Sequence, residues 1–195
     1  TDLASTSMSA QTDTMTNSLE TAKQVLAMEA HALLRLHDRL GEEIEHAVQM
    51  MAQCHGRVVV TGMGKAGHVG KKIAATLAST GRSSFFLHPA EAVHGDLGQV
   101  KKEDVILALS NSGRTGEVIA LLGPLKALGC PLIGMTARAD SPLGKAATVC
   151  LATGQFDEAD PLGLAPTTSS TVMLALGDAL AMAVAQTLGT TPEDF

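Results

Sequence analysis

Asp104-Val105-Ile106-Leu107-Ala108-Leu109-Ser110-Asn111-Ser112-Gly113-Arg114-Thr115-Gly116-Glu117 joins two signals in one stretch. Its first half is a short apolar run, the pattern of a parallel strand buried on both faces. Beyond it, Val118, Leu121, Leu122 and Leu125 recur at helical spacing. The octet Ser110–Glu117 is therefore a turn between the C-terminal end of a strand and the start of a helix. In open α/β sheets that is where ligands sit. A helix start offers unpaired N–H groups and a partial positive charge, both suited to an anion. Ser110, Ser112 and Thr115 add hydroxyl donors, and Gly113 and Gly116 let the backbone come close. The pattern asks for a phosphate held without a metal and largely without formal charge. Ser and Thr at a helix start also serve simply as caps, and that alternative stands beside the phosphate.

Working outward, strands are expected at 57–61, 84–87, 104–109, 131–136 and 148–151, alternating with helical segments. That alternation predicts a parallel sheet with helices on both faces. After the first strand, Gly62-Met63-Gly64-Lys65-Ala66-Gly67 matches the spacing of a dinucleotide-binding turn. That fingerprint also wants an acid near the end of the second strand. Here the second strand, Ser84–Leu87, ends in His88-Pro89. A dinucleotide is therefore not expected, and what remains is a close backbone turn with one cation, Lys65. His88, Glu91, His94 and Asp96 fit no standard metal spacing. No metal is predicted, with His88 and His94 the only pair worth weighing, while His94 and Asp96 remain possible pocket-lining groups. Ser141 is placed to cap a short helix with Pro142 at its first position. Glu158 stands in a loop at the sheet's C-terminal edge, among the solvated acids Asp157 and Asp160. The last helix repeats Val172, Leu176, Leu180, Val184 and Leu188 at every fourth position, and Asp178 interrupts it.

Ahead of the sheet, residues 17–54 read as helix. Leu26, Leu33, Leu36, Leu40, Ile44, Val48 and Met51, with Ala30 and Ala47, mark one face, and Gly41 marks a kink or break. So long a stripe exceeds what one small sheet can cover, which suggests a second subunit, with a helix wrapped around its own domain as the alternative. His31, His37 and His46 are read as surface residues. Residues 1–15 are polar, lack periodicity and read as a loose tail, not a signal peptide.

The 195 residues suit one domain with an added arm, and 45% hydrophobic content supplies a core. The absence of Trp and Tyr, the four Phe and the net charge of −6 argue against nucleic-acid partners. Cys54, Cys130 and Cys150 have no metal spacing and suit a reducing compartment. No run approaches the ~18 apolar residues of a membrane span. A cytoplasmic protein with neither nucleic-acid nor membrane partners is expected. Because the sequence opens on Thr1 rather than Met, both ends are read as open.

Several separated motifs occur in order. They are Gly62-Met63-Gly64-Lys65 with Gly67-His68, His88-Pro89 with Glu91-Ala92, His94-Gly95-Asp96-Leu97-Gly98, Ser110-Asn111-Ser112-Gly113, Pro161-Leu162-Gly163-Leu164-Ala165-Pro166-Thr167, and Gly177-Asp178-Ala179-Leu180. Together, over about residues 20–195, they closely resemble the sugar isomerase (SIS) domains of D-arabinose 5-phosphate isomerases. The resemblance implies an αβα three-layer sandwich around a five-stranded parallel sheet, with residues 16–55 as a helical arm and 56–195 as the α/β core. It implies a homotetramer, no cofactor, and interconversion of D-ribulose 5-phosphate and D-arabinose 5-phosphate for the Kdo sugar of lipopolysaccharide. It assigns the phosphate to Ser110, Asn111, Ser112 and Thr115, catalysis to Lys65, Glu117 and Glu158, and pocket lining to Gly64, His94 and Thr167. Aldose–ketose isomerisation passes through an enediolate, so it needs a carboxylate-type base and an oxyanion partner. Which glutamate is the base stays open, and a base working near neutral pH calls for a pKa raised by partial burial. The family continues into a Ser-His-Pro-Gly-Gly segment with a catalytic His and into paired CBS domains, neither of which is in this sequence. Ala66 also stands where a Ser is common. A non-catalytic sugar-phosphate-binding SIS module, or an isomerase for another phosphosugar, are the alternatives. Lys65, Glu117 and Glu158 favour the enzyme, and Pro161–Thr167 favours the pentose phosphate.

Overall fold

The sequence folds around a central parallel sheet, seen here in a computed structural model that describes the backbone of residues 3–194 and the side chains of 17–193. Five strands form it: β1 (Val58–Gly62), β2 (Ser84–Leu87), β3 (Val105–Leu109), β4 (Leu132–Thr136) and β5 (Val149–Ala152). All pair in parallel, in the order β2-β1-β3-β4-β5. Each expected strand is present, within one residue at either end. β1, β3 and β4 are buried at every residue, which is why they read as unbroken apolar runs rather than alternating ones.

Alternate residues of these strands feed two cores. Val58, Val60, Leu107, Leu109 and Ile133 face α2 (Glu42–Ala52), α3 (Gly64–Ser79) and α7 (Thr168–Leu188). Val59, Ile106, Ala108 and Leu132 face α4 (Pro89–Val93), α5 (Gly116–Leu128) and α6 (Pro142–Ala146). The result is the expected three-layer sandwich.

The arm is α1 (Leu3–His37), separated from α2 by a break at Gly41. It differs from expectation in two ways. First, helix begins at Leu3, inside the stretch read as a loose tail, with Thr1 and Asp2 outside the described residues. Residues 3–37 contain neither Gly nor Pro, so a helix started downstream can propagate through them. Second, the inward face is narrower than the leucine pattern suggested. Ala32 and Leu36 are buried, whereas Ala30, Leu26 and Leu40 are exposed, Leu26 at 67%. Among the described side chains, those of α1 that reach the core belong to its C-terminal part, which packs on α7.

α7 is long and apolar enough to cross a membrane by length and composition. Here it packs into the core, with Val172, Met173, Leu176, Leu180, Ala181 and Val184 buried against α2 and α3.

Candidate active site

The strand order reverses at β1, whose neighbours β2 and β3 lie on opposite sides. Ligands of open sheets bind in the crevice outside the strand ends at such a point. Both glycine-containing turns of the sequence open there: Met63-Gly64-Lys65 after β1 and Ser110–Thr115 after β3. A cleft of about 260 Å³ lies between them, lined by Met63, Lys65, Ala66, Ser110, Asn111, Ser112 and Thr115. The start of α7 closes it with Pro166, Ser169, Ser170 and Met173.

The hydroxyl turn is locked from below. Ser110 is buried, its Oγ lies 2.8 Å from Thr115 Oγ1, and Ser112 Oγ accepts from Arg114 N at 3.1 Å. Thr115 occupies the N-cap of α5, yet no side chain caps that helix. Its first N–H groups therefore remain available beside the hydroxyls, which favours the anion reading over simple capping. Gly113 has φ +63°, and an added Cβ would overlap the fully buried Ser141 Oγ. Ser141 caps α6 by accepting from Gly144 N at 3.1 Å, as its place before Pro142 predicted. Leu143 N donates to Gly113 O, and Ala137 N and Thr136 Oγ1 donate to Asn111 O. The β4–α6 connection thus fixes the turn's backbone.

The glycine turn after β1 owes its spacing to packing. A Cβ on Gly67 would stand 2.6 Å from Gly62 O, so the glycines let α3 rest on its own strand. Gly64 has φ +59° and open space around it. Lys65 is exposed and is the cationic side chain lining the cleft.

Glu158 has a different place. Its Oε2 accepts from Thr167 N at 2.8 Å, Ser169 N at 3.1 Å and Thr167 Oγ1 at 3.3 Å. It therefore caps α7, and Thr167, which also receives Ala159 N on its hydroxyl, is spent on holding that loop. Burial pushes the Glu158 carboxyl up, but the hydroxyl of Ser169, the two backbone N–H groups and the Thr167 hydroxyl together hold it below the usual glutamate value. That is opposite to the direction expected of a base working near neutral pH. Asp160 likewise accepts from Leu164 N and Ala165 N, which keeps its carboxyl low.

Of the other expected residues, Glu117 is half-buried in the first turn of α5, beside the cleft lining rather than in it. His94 is exposed at the C-terminal end of α4 and does not line the cleft. His88 Nδ1 is buried without a partner, its ring set edge-on to Phe86. Among the described residues no group of three or more His, Cys, Asp and Glu could hold a metal ion. Ser169 and Ser170 escaped the reading of the sequence, although Thr167-Thr168-Ser169-Ser170 is a second hydroxyl-rich helix start. Larger cavities, of about 570 and 810 Å³, flank the C-terminal half of α5. Their linings include the segments that lead into β3, β4 and β5, at the strand ends opposite the cleft.

Known proteins share this arrangement. Arabinose 5-phosphate isomerase KdsD of Pseudomonas aeruginosa is 54% identical over 177 residues, covering 91% of this chain and 54% of that protein. The KdsD of Escherichia coli K12 is 50% identical over 176 residues, covering 90% and 54%. The chain thus spans about half the length of the curated relatives it matches. The solved structure of Escherichia coli CFT073 c3406 in complex with arabinose 5-phosphate superposes with a TM-score of 0.89 at 41% identity, covering 92% of this chain and 95% of that one. The SIS domain family matches residues 50–183, and with the sheet, the switch-point cleft and the hydroxyl turn in place, this chain belongs to the SIS domain family.

Proposed function

We propose that the protein is an aldose–ketose isomerase interconverting D-ribulose 5-phosphate and D-arabinose 5-phosphate, with the product directed to Kdo and lipopolysaccharide. The observation that carries this reading is the hydroxyl-lined cleft between the starts of α3, α5 and α7, in a chain 54% identical to an arabinose 5-phosphate isomerase. In this reading the phosphate sits on Ser110, Asn111, Ser112, Thr115 and the N–H groups at the start of α5. Gly64 lets the sugar approach the backbone, and Lys65 faces the developing oxyanion or the phosphate. A base removes the C1 proton of ribulose 5-phosphate, the electron pair forms the C1–C2 enediolate, the O1 hydroxyl proton passes to O2, and the base returns its proton to C2 to give the aldose. No electrons or atoms are gained or lost overall.

Between the two glutamates, the hydrogen bonds of Glu158 support a positioning role, holding α7 and its Ser169 and Ser170 against the cleft. That leaves Glu117 as the proton shuttle. Thr167 holds the loop at the margin of the pocket, and His94 stands outside its lining. We place the enzyme in the cytoplasm as a homotetramer whose subunits meet through the exposed leucines of α1.

The test is conversion of ribulose 5-phosphate followed by NMR, for the wild-type chain, for E117Q and for E158Q. General-base removal typically costs about 10²–10⁴-fold in rate, the loss expected of E117Q. E158Q is expected to lose roughly tenfold, the smaller cost of a misplaced wall. The larger loss in E158Q would reverse the assignment. An inactive wild type that arabinose 5-phosphate still stabilises against heat would instead favour a binding module.

A further inference from the structure

Asp178 is the one charged residue in α7, and the proposed reaction does not use it. It meets Lys72 of α3, whose Nζ donates to Asp178 Oδ1. One position earlier, Gly177 is buried, and an added Cβ there would overlap Cδ1 and Cγ1 of Ile73. Ile73 is fully buried and β-branched, so its side chain has little freedom to give way. Two adjacent residues of α7 therefore meet two adjacent residues of α3, one pair by close approach and the other by charge.

This joint lies behind the cleft on both helices. Lys65 precedes Lys72 by seven residues, and Ser170 precedes Asp178 by eight. Each wall thus rises about 10–12 Å from the joint to the cleft. α3 is itself seated on the sheet by glycines: a Cβ on Gly70 would stand 3.1 Å from Phe86 Cε2, in addition to the Gly67 contact with Gly62. α3 is thus held close against β1 and β2.

We infer that Gly177 and Asp178, set against Ile73 and Lys72, fix the spacing of the cleft walls and so the position of Lys65 relative to Ser169 and Ser170. They are positioning residues for chemistry on a phosphosugar, and the inference rests on the isomerase reading of the cleft. The ion pair is half-exposed and contributes little to stability. A displacement of ~1 Å at a reacting centre can nevertheless cost about 10²-fold in rate. Activity and stability therefore separate at this joint.

The experiment compares the wild-type chain with G177A, D178N, I73A/G177A and K72D/D178K by isomerisation kinetics, melting temperature and crystallography. G177A and D178N are expected to lower kcat roughly tenfold with KM changed less than about twofold. D178N keeps its melting temperature within about 3 °C of the wild type. I73A/G177A, which removes both overlapped atoms, and K72D/D178K, which reverses the pair, recover kcat to within about threefold. Unchanged kcat in D178N, or losses that follow melting temperature and resist both compensating doubles, would overturn the inference. If G177A does not fold, D178N and its charge reversal decide. If the wild type does not isomerise the sugar, the isomerase reading fails, and the Lys65–Ser170 spacing in the crystals decides the joint separately. A shift beyond about 0.5 Å in the single variants, restored in the doubles, supports it; an unchanged spacing overturns it.

Discussion

Protonating Glu158 removes the charge that holds the first turn of α7. Its carboxyl lies below the usual value because hydrogen bonds outweigh burial, so its contribution to stability is present above about pH 4.3. That contribution is lost as pH falls through the lower, folded-state value. E158Q is expected to be less stable than wild type by about 1 kcal/mol at neutral pH. The gap then closes as pH falls from the unfolded value through the lower, folded-state one, measured as urea midpoints across pH. Parallel curves for the two proteins would show that the charge does not hold the helix. A carboxylate in a loop at the sheet edge was legible in the sequence. Its engagement by backbone nine and eleven residues on was not, because nothing local records where the loop between β5 and α7 turns back.

At the scale of the element, the Ser110–Glu117 turn and α6 behave as one unit. Gly113 needs its positive φ and also the space Ser141 leaves. G113A is expected to cost about 2 kcal/mol, combining left-handed strain with overlap, and to weaken binding of arabinose 5-phosphate. S141A alone costs about 1 kcal/mol through the lost cap. Because S141A relieves part of the overlap, the double variant costs less than the sum, as chemical unfolding would measure. Additive losses would mean that the two side chains do not share the space. The sequence showed a glycine in a turn and a Ser-Pro helix start as separate local features, and only the fold brings them together.

Across the whole molecule, the reversal of strand order at β1 brings two turns, distant in sequence, to one cleft. The same scale leaves a long helix reaching beyond the core, with Leu26 and Leu34 exposed at 67% and 63%. If α1 joins subunits, L26K lowers the oligomer mass in sedimentation while changing stability of the single subunit by no more than ~0.5 kcal/mol. An unchanged mass would place the subunit contact elsewhere.

The strands, their buried character, the hydroxyl turn and the break at Gly41 were determined by the sequence itself. Each depends on hydrophobic period, glycine and capping chemistry within a few residues. The tertiary structure alone decided which turns face each other, that Glu158 caps a helix, that Ser169 and Ser170 complete the cleft, and that Asp178 meets Lys72. These depend on side chains separated by many residues and brought together by packing, and packing distance leaves no mark on local sequence.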